Sequence, residues 1–588
     1  MRSSKPLSPV SSGALLGALF LLAFSMPLIL GDENGSGQWL AVDFGAVPTE
    51  IGTPFEDAAD CTEAIQSALD AAKQSGGGVV ILPAGRFTVK GTLSIPGGVT
   101  LEGTYRSATT VGSTNQADGT VLLAYAGKNS PDSAPFISLA GDNAVIKGIV
   151  IIYPEWDQEI VPPLPYPPCV ESHDTDNVGI LDCALLNPYE GIRLVRAARH
   201  LVRNVTGYPI WRGIFVDQCY DIGHIENIHF WPFGVTYRPN DPYCKWVNLN
   251  GTAFEFARTD WHYVANTFCF GYGVGYRFSE YEHGGTNGNF LGLGADSCRR
   301  AVLVEQVQAP GLLITNGEFV GRWSSDDSVC IEIAENCRGK VSLVNCSFWG
   351  PIDTCVQKKN PDAPLTASAC HFVNWDNRSV GNPAIDLLAG SANIADSTFM
   401  DTGTAVRVSD DVKAVILSGN LSPGGFMVEG ISDANRARVQ AFGNERAATL
   451  ESPEHYRVAI GSVEDKTLVV NWSTRESDAE EHPFRWTGDQ SKLRLDVKPN
   501  SAYDLAFTCV VPQKALDGEE QAGLYRDGKL IAPFSLGSNT IKARLEPTEG
   551  KQIILEIRCA GWTPGEKDPR TLGIQGRVIE MTAVDSQD

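Results

Sequence analysis

Nine short segments of one kind recur along the middle of the chain, each reading small residue, hydrophobic, variable, hydrophobic. They are Gly191-Ile192-Arg193-Leu194, Gly213-Ile214-Phe215-Val216, Ala253-Phe254-Glu255-Phe256, Gly275-Tyr276-Arg277-Phe278, Ala301-Val302-Leu303-Val304, Ser328-Val329-Cys330-Ile331, Ala384-Ile385-Asp386-Leu387, Ala405-Val406-Arg407-Val408 and Gly425-Phe426-Met427-Val428. Their first residues are 22, 40, 22, 26, 27, 56, 21 and 20 positions apart. A repeat of this length cannot bury its apolar face alone and must stack on its neighbours, as in a solenoid. The long gap predicts one further turn around Thr354-Cys355-Val356. Second strands such as His224–Ile228 and Lys340–Leu343 fall between the repeats. The pattern predicts a parallel β-helix from about residue 136 to 430; an irregular sandwich or propeller is the competing reading.

Both ends differ from the middle. Ala64, Ile65, Ala68, Leu69 and Ala72 follow the spacing of an amphipathic helix over about residues 60–74, suited to covering the first coil. Beyond residue 450 the strands lengthen, as in Tyr503–Phe507 and Ile553–Ile557, and predict a β-sandwich. The predicted fold class is therefore all-β: a right-handed parallel β-helix with an N-terminal capping helix, then a sandwich. The expected division is a leader at 1–31, the solenoid at 32–448 and an accessory domain at 449–588.

Asp43-Phe44-Gly45-Ala46, Ala64-Ile65-Gln66 and the run Gly76–Gly85 resemble the N-terminal signature of the pectate-lyase superfamily. The resemblance covers residues 40–430 at the level of fold and is sharpest over 42–104. It implies a right-handed parallel β-helix acting on polysaccharides, in the manner of polygalacturonase-like and rhamnogalacturonase-like proteins. It carries over no catalytic set. Asp174-Thr175-Asp176 and Asp326-Asp327 lie some 150 residues apart, and the Gly-His-Gly and Arg-Ile-Lys motifs of polygalacturonases are absent.

A net charge of −23 opposes binding to nucleic acid and to anionic membrane surfaces. Arg2 and Lys5 followed by the apolar run Ala14–Leu30 read as an export signal, which implies a secreted or periplasmic protein with no membrane association after cleavage. The 14 cysteines contain no C-x-x-C pair. Export permits disulfides, with Cys509 and Cys559 an attractive pair; buried thiols are the other reading.

In each repeat the hydrophobics point inward, so the variable residue points out. Down the stack this position reads Arg193, Phe215, Glu255, Arg277, Leu303, Cys330, Asp386, Arg407 and Met427, and two residues on lie Asp217, Glu305 and Glu332. Asp217, Glu255, Glu305 and Glu332 are the candidate catalytic carboxylates. Glu305 with Glu332 is the closest expected pair, and stacked like charges would raise the pKa of one member. Arg277 is expected to position substrate. Residues 208–281 hold 20 of the 52 aromatics, and Trp211, Phe215, Trp231, Trp246 and Trp261 are expected to stack on sugar faces. The Glu280–His283 loop and Asp326-Asp327 are alternates.

The function expected from these residues is a secreted glycoside hydrolase that cleaves a polysaccharide or oligosaccharide with two carboxylates and no cofactor. A polysaccharide lyase, with calcium, is the runner-up. A non-catalytic glycan-binding or structural solenoid is the third reading.

Overall fold

The computed structural model describes residues 37–584 apart from 107–118, 239–240, 323–326, 424, 447–453, 463–464, 466–467, 519–520, 551, 566–567 and 569. The predicted leader, Asp326 and the predicted boundary at 448/449 lie outside the described residues.

The chain winds into a parallel β-helix. Each coil lends one strand to a 13-stranded sheet, and one bent strand or two short ones to a 24-stranded sheet. The additional turn expected in the long gap is there, as the strand Thr354–Lys358. The small residue that opens each repeat sits where the chain bends inward. A Cβ on Gly191 would lie 2.5 Å from the carbonyl oxygen of Gly213, so nothing larger fits without displacing the next coil.

A second bend divides the strands of the larger sheet. One register position holds Asp182, Asn204, Asn227, Asn266, Gly292, Asn316, Asn345, Ala369, Asp396, Gly419 and Gly443, all with positive φ. Glycine and short polar residues tolerate this left-handed conformation. Asparagines at this position donate to the side chain of the coil before: Asn204 Nδ2 to the Asp182 carboxylate, Asn227 Nδ2 to Asn204 and Asn345 Nδ2 to Asn316, each at 2.8 Å.

Inside, like side chains stack. Phe254 lies 4.8 Å from Tyr276 with the rings 6° from parallel, and Phe348, Phe372 and Phe399 form a second stack. Helix α1 (Thr62–Gln74) buries Ile65, Ala68, Leu69 and Ala72 against the first coil, as the spacing predicts, together with Ala71; Ala64, also expected on this face, is half-buried. A second helix, α2 (Pro242–Asn250), was not anticipated. Asp241 caps it by accepting the backbone N–H of Tyr243 at 2.9 Å, and Pro242 opens it.

The C-terminal strands form a ten-stranded antiparallel sheet assembly with its own core, including Leu493, Leu505, Phe507, Leu555 and Ile579. It meets the solenoid at Arg494, whose Nη1 lies 3.5 Å from Asp401 Oδ2. All 14 cysteines are thiols, 13 of them buried. The expected Cys509–Cys559 disulfide is not formed; the Cys559 sulfur instead lies 3.9 Å from the hydroxyl of Thr487. Among the described residues, no helix is long and apolar enough to cross a membrane.

Candidate functional site

The outer face of the 13-stranded sheet carries the candidate carboxylates. One outward register position reads Glu171, Arg193, Phe215, Glu255, Arg277, Leu303, Glu332, Gln357, Asp386, Arg407 and Glu429. From Arg193 to Leu303 this is the order expected from sequence. At the next coil Glu332 takes the place expected for Cys330, and at the last Glu429 takes that of Met427. The cause is the small residue. Cys330, buried, fills the corner occupied in the coil before by Ala301, so Ser328 lies outside the strand and the register moves by two.

That shift separates the expected Glu305–Glu332 pair. Glu332 is level with Leu303, and each carboxylate has its own cations. Arg277 Nη2 lies 2.9 Å from Glu305 Oε1, while Arg300 Nε and Lys359 Nζ each lie 2.5 Å from Glu332. Burial works against the charge on Glu332, but Lys359 and Arg300 outweigh it and hold its carboxyl below the ordinary range. The expected stack of like charges is thus an alternation of carboxylates and cations.

Glu255 is the most enclosed of the four, 2% exposed. Arg212 Nη1 and Arg277 Nη1 lie 3.5 Å from its two oxygens, one on each. The Tyr281 hydroxyl donates to its Oε1 at 3.0 Å. A carboxylate withdrawn from water this far is stable as an ion only with such partners. Burial, and then the charge of Glu255, push the Tyr281 phenol above its usual pKa, so it stays a donor. Asp217 is tied to the backbone: its Oδ1 accepts the N–H of Arg258 at 3.1 Å.

The sequence reading missed the residues that organise this network. Glu190, also 2% exposed, receives Arg193 at 2.5 Å and Arg212 at 2.6 Å, so ion pairs run unbroken from Arg193 to Glu305. The signal was present. Glu190, Arg212, Thr252, Val274 and Arg300 each immediately precede the small residue of a repeat and share one register position on the face, polar at all but Val274.

Aromatic rings border the network. Trp211 stacks on Tyr189 at 5.4 Å and 17°, and Trp246 of α2 leans on Tyr189 from 6.3 Å. The Arg212 guanidinium lies over Trp211 and over Phe215, 4.8 and 4.0 Å from the ring centres. Phe215 meets the ring of Tyr281 edge-on at 5.9 Å. Trp261, in the turn just before the strand His262–Phe270 of the larger sheet, is 64% exposed with φ +55°. That conformation costs a bulky residue roughly 1–2 kcal/mol, and strain of this kind collects at ligand sites. Asn287 holds it there by accepting the Trp261 backbone N–H at 3.0 Å.

Trp231 is elsewhere. It follows the strand His224–Phe230 of the larger sheet and packs on Phe268 and Phe270, around the corner from the carboxylates. The alternates fare differently. Tyr281 joins the site, Glu280 faces Arg338 and Gln306, and Asp327 is engaged by Arg299 and Arg300. Among the described residues, no group of three or more His, Cys, Asp or Glu is placed to hold a metal ion.

No family model matches the chain, and no curated protein resembles it in sequence. Solved structures that it resembles include a tailspike protein double mutant of E. coli bacteriophage HK620, with TM-score 0.46 and 11% identity over 93% of each chain. PfbA, a surface adhesin of Streptococcus pneumoniae, gives TM-score 0.38 and 13% identity over 70% of this chain and 93% of that one. The A-module of the Azotobacter vinelandii mannuronan C-5 epimerase AlgE6 gives 0.31 and 13% over 70% of this chain and all of the module. At such identities the likeness concerns the course of the chain alone.

Proposed function

We propose that this protein hydrolyses a polysaccharide along the outer face of its 13-stranded sheet, with Glu255 and Glu305 as the reacting carboxyls. The observation that carries the reading is Glu255: an enclosed carboxylate contacted by two arginines and a phenol, between rings that suit sugar faces. Glu305 follows the strand Arg300–Val304, two strands from that of Glu255 and two residues further along, roughly 12 Å of backbone, which the two side chains shorten by reaching to Arg277 between them. That favours the wider spacing of an inverting mechanism, roughly 6.5–9.5 Å between carboxyls. Glu255 then takes the proton of the attacking water. Glu305, the more exposed of the two, is the group that would supply a proton to the leaving oxygen, while Arg277 between them binds a hydroxyl. Trp211, Phe215, Trp246 and Trp261 bound the path of the glycan.

The near balance of charge on this face suits a neutral glycan. Export by the leader at 1–31, and a separate accessory role for residues 449–588, belong to the same proposal. One observation favours a second reading, a solenoid that binds glycan without cleaving it: Glu255, Glu305 and Glu332 are each already ion-paired. Incubation with a glycan panel and assay of new reducing ends separates the two. Hydrolysis requires reducing ends from the wild type and their loss in Glu255→Gln. A ligand bound but unchanged in mass supports the second reading, and ultraviolet-absorbing unsaturated products point to a lyase.

A further inference from the structure

The larger sheet has an outward face of its own, and one register position there runs Thr206, His229, Phe268, Gly294, Glu318, Ser347, His371, Thr398. Its N-terminal half is aromatic. His229, Trp231, Phe233 and Phe268 line a cleft of about 360 Å³. The rings of Trp231 and Phe268 are 25° from parallel, with centres 6.4 Å apart, and His229 meets Phe268 edge-on at 5.3 Å. Trp231 is 39% exposed.

Gly294 shapes this surface. A Cβ there would lie 2.7 Å from the Phe268 ring, so the absence of a side chain lets that ring lie over the next coil. Beyond Gly294 the surface turns polar: Glu318 accepts the indole N–H of Trp349 at 2.9 Å, and His371 Nδ1 lies 2.8 Å from the Thr398 hydroxyl. Two residues before His229 and Phe268, the exposed amides Asn227 and Asn266 occupy the left-handed bend. Thr206, beside His229, keeps a buried hydroxyl with no hydrogen-bond partner.

We infer that this face is a second glycan-binding surface, taking a neutral oligosaccharide, separate from the carboxylate face. Aromatic faces beside amides and hydroxyls match the two sides of a sugar, apolar C–H on its ring faces and hydroxyls around its rim. Strands about 4.8 Å apart repeat at close to the length of one hexose unit, so successive sugars meet successive coils. From Thr206 to Thr398 along this register position, Glu318 alone is an acid and none is Lys or Arg, which favours a neutral ligand on these coils. The inference rests on the carbohydrate reading above but assigns holding, not cleavage, to this surface.

The test uses the full chain. Retention in gels containing neutral polysaccharides is compared for the wild type, Phe268→Ala, Phe268→Tyr and Gly294→Val, beside reducing-end release from short soluble oligosaccharides. The expected result is retention about tenfold weaker in Phe268→Ala and Gly294→Val, a difference of about 1.4 kcal/mol. Phe268→Tyr should be retained as the wild type is, and release from short substrates should be unchanged. Wild-type retention of Phe268→Ala overturns the inference, as does a wild type that takes up an apolar dye at this cleft but no sugar. Loss of reducing-end release in Glu255→Gln, or its persistence, bears on the carboxylate face alone.

Discussion

The phenol of Tyr281 donates a 3.0 Å hydrogen bond to Oε1 of Glu255, fastening the loop after the strand Val274–Phe278 to a carboxylate on the strand before it. The same ring meets Phe215 edge-on. Removing the hydroxyl leaves the ring contact and deletes a bond to a charged acceptor, worth about 1.5–3 kcal/mol. Tyr281→Phe is expected to lower kcat/KM about tenfold with little change in Tm. An unchanged kcat/KM would detach this loop from the site.

The carboxylates should separate by partner. Glu255→Gln removes a group placed for proton transfer, which contributes about 10²–10⁴-fold to rate. Turnover should fall within that range while glycan is still bound. Glu332→Gln, level with Leu303 and engaged by Arg300 and Lys359, should turn over normally. Its cost falls on stability, and with a definite sign. The Glu332 carboxyl is held below its ordinary pKa, so its contribution is complete above about pH 4.5 and fades as pH falls through the folded value. Denaturant titrations of both variants at pH 7 and pH 3.5 measure this.

Trp261 should show stability and binding in opposition. Trp261→Gly relieves the left-handed strain and is expected to raise stability by about 1 kcal/mol. It also removes an exposed ring at the edge of the site, so affinity for glycan should drop. Thermal melts and binding isotherms on one preparation test both effects, and a loss of stability would contradict the strain argument.

Two buried histidines predict acid sensitivity. His200 and His262 face each other with ring centres 5.1 Å apart. Burial brings His200 down to about pKa 4 and pushes His262 well below the ordinary imidazole range. The folded protein keeps both neutral, whereas the unfolded chain takes up protons below about pH 6.5. Stability from this source is therefore constant above pH 6.5 and declines below it, by about 1.4 kcal/mol per pH unit for each histidine. Between pH 6.5 and 5 the wild type should lose about 2 kcal/mol more than His262→Phe. Equal slopes would show that His262 is charged in the fold.

The thiols should be silent until the chain unfolds. Thiol reagent is expected to find all 14 after denaturation and almost none before it. Dithiothreitol should leave Tm unchanged, and Cys509→Ser should unfold with wild-type reductant insensitivity.

Local pattern carried the architecture further than the site. A bend that holds a small residue in most coils leaves a repeating mark, so the solenoid and its hidden turn at Thr354 could be read from spacing, and the capping helix from its own apolar positions. Helix α2 left the short signal Asp241-Pro242, easily lost among the aromatics around it. The register error at Ser328 arose because serine and cysteine are both small, and the coil itself decides which one fills the corner. Ion pairing was beyond reach for another reason. Arg212 and Glu255 are 43 positions apart, and nothing local says that a guanidinium on one coil will reach a carboxylate on the next.

The column of left-handed turns from Asp182 to Gly443 has a consequence for how such a protein can be lengthened or cut. Every coil returns the chain to the same conformation at the same place, so coils are interchangeable units of travel. Removing one whole coil beyond Lys359 would move all later residues about 4.8 Å toward the helix-capped end without turning any side chain to another face. The face from Glu190 to Glu332 would be untouched. Removing a single residue from a strand would instead invert every side chain up to the next bend. On the C-terminal side of the site, strands can be gained or lost only as whole coils, while the turns between them already differ in length from coil to coil.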